Sequence, residues 1–187
     1  MRINAGSHKG LKLAVPEGAD VRPTSDRARQ AIFNILAHKF DCVTGARVLD
    51  VFAGSGALGI EALSRGAGSL AVLEKTRDAA DCIKRNLAAA RESERAIILL
   101  ADALSPPDAA RFRKFSPCDL VFLDAPYAEG LTGPALGALA KAGWLAENAI
   151  LVVETGAREV LDLPPGFDVA DDRRYGKARM RILRYGA

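Results

Sequence analysis

The feature that most constrains this chain is an alternation. Between about residue 46 and residue 155, short apolar runs alternate with segments of helical periodicity. The runs are Arg47–Val51, Ser69–Glu74, Ala96–Ala101, Asp119–Leu123 and Ala149–Glu154. Each is short and continuously apolar, the kind of strand buried on both faces. Strands that alternate with helices build βαβ units, and therefore a parallel sheet. The intervening segments fit this reading. Gly56 to Arg65 and Pro134 to Ala142 read as helices, the second opening on its proline. After Thr76, a candidate N-cap, the apolar positions Ala80, Ile83, Leu87 and Ala90 recur at three- and four-residue steps. Ser25 to Phe40 reads as a further helix, with Ala28, Ile32, Ile35, Leu36 and Phe40 towards the core.

The two ends follow a different pattern. Phe167–Arg174 and Ala178–Arg184 are joined only by Tyr175-Gly176-Lys177, which predicts an antiparallel hairpin closing the sheet. Arg2–Ala5 and Leu11–Val15 flank Gly6 to Gly10 and predict a second, smaller hairpin. A length of 187 residues fits one globular unit, divided here into a basic N-terminal extension, 1–24, and a main domain, 25–187. No stretch approaches the ~18 uninterrupted apolar residues of a membrane span. The first residues lack the apolar core of a secretion signal, so the expected location is the cytoplasm. Cys42, Cys82 and Cys118 are lone and far apart, which argues against disulfides and zinc knuckles. His8 and His38 are 30 positions apart and read as solvent-facing or capping residues, so no metal site is expected.

Charge is distributed unevenly. Residues 1–40 carry seven Lys/Arg against three Asp/Glu, and residues 171–187 carry six against two. The middle, 41–170, holds 13 basic and 18 acidic residues. Basic ends around an acidic body point to a polyanion at the ends and a cationic or neutral ligand in the middle. Lys9, Lys12, Arg22, Arg173, Arg174 and Lys177 are the candidate phosphate contacts, and the hairpin would gather Arg179, Arg181 and Arg184 on the same ribbon.

The segment from Val48 to Gly59 runs from a strand into a helix through Gly54, Gly56 and Gly59, where the backbone can turn sharply and approach a ligand. The glycine spacing alone admits NAD, with Glu74 placed to accept from ribose hydroxyls. Asp50, at the strand end, would repel a pyrophosphate. It favours instead a ligand carrying an ammonium and a sulfonium, S-adenosylmethionine. Candidate cofactor contacts are Asp50, Phe52, Gly54, Gly56 and Glu74, with Asp102 accepting from the adenine amine and Ala103 offering its N–H.

After the fourth strand comes Asp124-Ala125-Pro126-Tyr127. An exocyclic amine on a nucleobase is a poor nucleophile, because its lone pair is delocalised into the ring. Two acceptors, the Asp124 carboxylate and the Ala125 carbonyl, would grip both N–H bonds and draw the nitrogen towards tetrahedral geometry. Pro126 restricts the loop and Tyr127 supplies a stacking face.

These motifs resemble those of the bacterial family that methylates the N2 amine of a guanine in 16S ribosomal RNA. The resemblance covers nearly the whole chain. It rests on Arg22-Pro23-Thr24-x-Asp26 with Phe33-Asn34, on Leu49 to Gly59, and on Asp124 to Tyr127. The last is similar to the amino-methyltransferase signature Asp/Asn-Pro-Pro-Tyr, with Ala125 in place of the first proline.

The resemblance implies an α/β protein of Rossmann-like class I S-adenosylmethionine-dependent methyltransferase fold, with a seven-stranded, mostly parallel sheet ending in the antiparallel hairpin. It implies methyl-donor binding at Gly54, Gly56, Glu74 and Asp102, and amine recognition at Asp124 and Tyr127. It also implies that the Arg22–Thr24 stretch and the N-terminal hairpin lie on the substrate side. The implied substrate is 16S rRNA, within an assembling small subunit, met by a monomer. Adenine-N6 methylation of DNA uses nearly the same local chemistry, and an NAD-dependent oxidoreductase would use the same glycines. A chain of this size has no room for a separate base-reading domain, which fits RNA recognised by shape. The base must still be turned out of its stack.

Overall fold

The computed structural model describes residues 1–16, 26–125, 130–176 and 178–186, with Tyr175 described in its backbone only. Among the described residues one sheet is built from β1 (Arg47–Val51), β2 (Ser69–Glu74), β3 (Ala96–Leu100), β4 (Cys118–Asp124), β5 (Leu145–Gly156), β6 (Phe167–Tyr175) and β7 (Ala178–Tyr185). Its order is β3-β2-β1-β4-β5-β7-β6. The first five strands are parallel, and β7 enters antiparallel between β5 and β6. The expected α/β architecture, with its closing hairpin, is the observed one.

Alternation along the strands sends side chains to two cores. Val48, Leu70, Val72, Leu120, Phe122 and Ile182 join the cluster under α1 (Asp26–Ile35), α2 (Ala57–Ser64) and α3 (Arg77–Ala89). Leu49, Val51, Leu73, Val121, Leu123 and Leu183 join the cluster under α4 (Thr132–Lys141) and Trp144. Period-two alternation with both faces apolar explains why β1 and β2 read as unbroken hydrophobic runs. Helix α2 lies especially close to the sheet. A Cβ at Gly59 would meet Leu70 Cδ1 at 2.6 Å, so glycine is what permits the approach.

Several elements differ from expectation. The long helix over 25–40 is α1 followed by a wider π turn, Leu36–Phe40, which ends at Asp41 in the left-handed region with φ 45°. Helix α4 starts at Thr132, with Pro134 third rather than first, a position where the missing N–H is still one that has no partner within the helix. β5 begins four residues early, across a shift in its pairing with β4 and a left-handed Asn148 at φ 62°. The N-terminal hairpin carries one isolated antiparallel bridge, Arg2 to Lys12, and its arms are also joined by Ile3 N to Leu11 O at 3.0 Å, Gly10 N to Ile3 O at 2.8 Å and Leu13 N to Met1 O at 3.1 Å. Other N–H groups of the hairpin turn outward. Asn4 and Ala5 give their N–H groups to the Glu61 carboxylate at 2.7 and 3.0 Å, and Ser7 gives its own to Ser64 O at 2.8 Å. Ile3 and Leu13 share the apolar cluster of Val48 and Leu70.

The three cysteines are free. Burial pushes the Cys42 thiol up to about 11 and that of Cys118 up to about 12. His8 departs from its expected role, because its Nε2 meets the Glu92 carboxylate at 2.6 Å across 84 residues of sequence. No helix among the described residues is long and apolar enough to cross a membrane.

Candidate active site

β2 and β3 lie on one side of β1, β4 and β5 on the other, so the chain leaves the carboxyl ends of β1 and β4 towards opposite halves of the sheet. Such a switch point opens a crevice between the two loops. Val51 is level with Leu73 on one neighbour and with Leu123 on the other. The glycine loop after β1 and the Asp124 loop after β4 therefore start side by side on one edge, separated by one strand spacing of ~4.8 Å. This is the juxtaposition the two sequence motifs require.

The glycine loop is built by left-handed residues. Phe52 takes φ 57° and donates its N–H to Leu73 O at 3.2 Å, which turns the chain off the strand at a conformation costly for a bulky side chain. Gly54 and Gly56 follow at φ 55° and 73°. A Cβ at Gly54 would find no described atom within 4 Å, so the crest of the loop faces open space. Gly56 precedes α2 with no side-chain cap, and Asp50 replaces one: its Oδ2 accepts from Gly59 N at 2.9 Å. Glu74 reaches across from β2. Its Oε2 accepts from Gly54 N at 3.2 Å, and its Oε1 from Thr76 N at 2.9 Å and Thr76 Oγ1 at 3.1 Å. Thr76 thus precedes α3 as expected, but its hydroxyl serves Glu74 rather than the helix.

Asp50 differs from its expected role as a standing negative charge. It is only 2% exposed, and burial raises its carboxyl to about 8, with the nearby Asp124 and Glu74 charges adding to the rise and the Gly59 N–H opposing it. Around neutral pH the side chain therefore largely holds its proton, and a cation at this edge favours releasing it. The case against a pyrophosphate changes form accordingly. The Gly54 and Gly59 N–H groups, which a phosphate would use, already point at carboxylate oxygens of the chain itself. An edge with open space at Gly54 and acceptors at Glu74 and Asp102 fits the adenosine of S-adenosylmethionine.

On the far side of Glu74, Asp102 follows β3. Its Oδ1 accepts from Leu104 N at 2.9 Å and its Oδ2 pairs with Lys75 Nζ at 2.9 Å. The Leu104 N–H, helped by Lys75, holds this carboxyl below the usual carboxylate value. Ala103 is buried beside it. Lys75 was missed in the sequence reading. The register of Glu74 opposite Leu100 explains the pair, since Lys75 and Asp102 each lie just beyond those ends. Asp124 ends β4 opposite Glu154, and the Ala125 side chain packs in the α4-side cluster. Pro126 and Tyr127 lie outside the described residues, as do Arg22, Pro23, Thr24 and Lys177.

The basic candidates separate into two places. Gly156 pairs with Ala178, so the β6–β7 tip rises at the same edge as the glycine loop and brings Arg173 and Arg174 with it. Both are exposed, but neither side chain is idle. Arg173 Nε binds Asp171 Oδ1 at 3.0 Å, and Arg174 donates to Ala157 O at 3.0 Å. Arg173 and Lys39 together pull the Asp171 carboxyl down to about 2. The expected all-basic ribbon is broken up: Arg179 binds Asp172 at 2.8 Å, and Arg181 turns inward to Thr155 Oγ1 at 3.0 Å. Lys9 is elsewhere. The turn that carries it docks on Ser64, at the opposite end of α2 from the glycine loop, ~12 Å along the helix axis. Lys12 is exposed next to the Arg2 bridge.

The chain is similar to known proteins over nearly its whole length. The model of a family described as conserved hypothetical protein 95 matches residues 1–184. Ribosomal RNA small subunit methyltransferase D of Escherichia coli strain K12 is 37% identical over 183 residues, covering 97% of this chain and 88% of that protein. The protein of the same name from Haemophilus influenzae is 34% identical, covering 97% and 92%. The solved structure of yhhF from Escherichia coli superposes with a TM-score of 0.82 at 32% identity, covering 100% of this chain and 98% of that one.

Proposed function

The chain belongs to the family described as conserved hypothetical protein 95, and from its likeness to ribosomal RNA small subunit methyltransferases D we propose that it methylates 16S ribosomal RNA, taking the methyl group from S-adenosylmethionine and placing it on the exocyclic N2 amine of a guanine. The observation that carries this reading is the shared edge. Val51 and Leu123 stand level on neighbouring parallel strands, so a donor on the glycine loop and an amine at Asp124 meet in one crevice.

S-adenosylmethionine supplies the reaction with an electrophilic methyl group on a sulfonium. The chain does the rest. Gly54 leaves room for the donor, Glu74 takes the ribose hydroxyls and Asp102 the adenine amine. Asp124 accepts an N–H from the target amine, so positive charge developing on the nitrogen faces a carboxylate. Ala125 offers its carbonyl as the second acceptor, with Pro126 shaping the loop and Tyr127 stacking on the base. Alignment of amine and methyl group supplies the main rate term, on the order of 7–11 kcal/mol. The N–CH3 bond forms as the S–CH3 bond breaks, leaving the thioether S-adenosylhomocysteine. The cationic amine, far more acidic than the neutral one, gives its surplus proton to water, so no strong general base is required. The β6–β7 tip, with Arg173, Arg174 and Lys177, serves as the phosphate contact nearest the site. We take the enzyme to act as a cytoplasmic monomer on RNA held in an assembling small subunit.

Supplying labelled methyl donor with small-subunit particles, deproteinised rRNA and duplex DNA tests the reading. Label is expected in the particle or the rRNA, as N2-methylguanine. Label found only in DNA, as N6-methyladenine, would overturn it.

A further inference from the structure

One buried side chain outside the crevice ties the glycine loop to the N-terminal segment. Asn86, in the third turn of α3, is 2% exposed. Its Oδ1 accepts from Ala14 N at 2.8 Å, while its Nδ2 donates to Ala14 O and to Ser55 O, both at 2.9 Å. Only one orientation of the amide meets this set, because two carbonyls must face the nitrogen and one N–H the oxygen. Aspartate in its place would set carboxylate oxygens against two carbonyls, and an apolar residue would leave all three backbone groups without this partner.

The two segments it joins matter for different reasons. Ser55 sits between Gly54 and Gly56 in the cofactor loop, and α3 packs directly beneath, since a Cβ at Gly56 would meet Ile83 at 3.2 Å. Ala14 belongs to the N-terminal segment, eight residues before Arg22. A second contact runs the same way. Ser55 Oγ lies 3.5 Å from Met1 Sδ, and Met1 O accepts from Leu13 N at 3.1 Å, so the doubled N-terminal chain is tied to the cofactor loop on both of its arms.

We propose that Asn86 is a positioning residue that couples the cofactor loop to the N-terminal segment, so that ordering either one orders the other. This rests on the methyltransferase reading for the identity of the ligand. Coupling of this kind is reciprocal: a cofactor that fixes Ser55 steadies Ala14, and whatever steadies Ala14 steadies the loop.

Hydrogen exchange on the full chain, with and without S-adenosylhomocysteine, tests the coupling without any need for turnover. In the native protein the ligand is expected to slow exchange in peptides spanning residues 10–16 by at least about fivefold, the low end of ordinary coupling between sites. In Asn86→Leu, which keeps the branched shape without the polar atoms, that protection is lost while protection of the glycine loop persists. Asn86→Asp, which is isosteric and keeps an acceptor for Ala14 N but loses both donations, to Ala14 O and to Ser55 O, uncouples the two segments in the same way and serves should Asn86→Leu not fold. Ligand bound with no slowing at residues 10–16, or slowing unchanged in both variants, overturns the coupling alone. No binding of S-adenosylhomocysteine by the native protein overturns the methyltransferase reading and the coupling with it.

Discussion

Asp50 Oδ2 and Gly59 N stand 2.9 Å apart across the turn from β1 into α2, so a buried carboxyl does the work of a helix cap for a helix whose own cap position is Gly56. Because burial lifts that carboxyl to about 8, the folded protein holds the proton more tightly than the unfolded chain does. The sign follows: stability declines as pH rises from the ordinary carboxylate range, ~4, towards about 8, and levels off above it. Asp50→Asn keeps an acceptor for Gly59 and removes the titration. Its melting temperature, followed between pH 6 and 9, is expected to fall less than that of the native protein.

The same proton governs binding of a cationic ligand. Below about 8, S-adenosylmethionine must displace it, so affinity measured by calorimetry is expected to rise with pH up to that value and then flatten. Proton release on binding, read by repeating the titration in buffers of different ionisation enthalpy, should vanish in Asp50→Asn.

Asp124 ends β4 one strand away from the glycine loop, and the chemistry asks it to face charge that develops only during transfer. Asp124→Ala removes the acceptor and its charge together. Its kcat on the rRNA substrate should drop about 100- to 1,000-fold, the range for one removed electrostatic group. S-adenosylhomocysteine affinity should stay close to native, which separates a catalytic loss from a misfolded site.

The central parallel strands were legible because burial on both faces leaves short apolar runs such as Ser69–Glu74, and β3 keeps such a run although as an edge strand it is only half-buried, with Leu100 exposed. The hairpin Phe167–Tyr185 was legible from its short turn. What escaped were contacts between residues distant in the chain. His8 with Glu92, Asn86 with Ala14 and Lys75 with Asp102 join segments 84, 72 and 27 positions apart, and no local periodicity records such a meeting. Glu61 had a faint signal, a lone acid within the apolar helix Ala57–Ser64, and it proves to be the fully buried anchor for Asn4, Ala5 and Arg65. Asp50 was placed correctly at the strand end, but whether a carboxyl faces a ligand or a helix N–H depends on how closely α2 lies on the sheet, and that is set by Leu70 across the Gly59 gap.

That gap is itself open to test. In Gly59→Ala the new methyl group would overlap Leu70 Cδ1 at 2.6 Å and crowd Asp50 Oδ2 at 3.1 Å, with fully buried neighbours that leave little room to yield. Overpacking of this kind costs about 1–3 kcal/mol. For a chain of this size that is a fall in melting temperature of roughly 2–4 °C per kcal/mol. Gly54→Ala, where no described atom lies within 4 Å, pays only for its left-handed backbone and is expected to melt closer to native while binding S-adenosylhomocysteine more weakly.

The split of the basic residues predicts which charges RNA reads at the crevice. Gly156 opposite Ala178 puts Arg174 at the carboxyl edge, whereas Lys9 sits on the turn docked at Ser64, beyond the other end of α2. Arg174→Ala is therefore expected to weaken binding to small-subunit particles across all salt concentrations tested and to lower the slope of log affinity against log salt by about one. Lys9→Ala should leave that slope and the kcat/KM for methylation near native. A slope altered by Lys9→Ala and not by Arg174→Ala would mean that RNA approaches from the N-terminal turn, and that the hairpin tip, with Arg173 held by Asp171, is only a solvated surface.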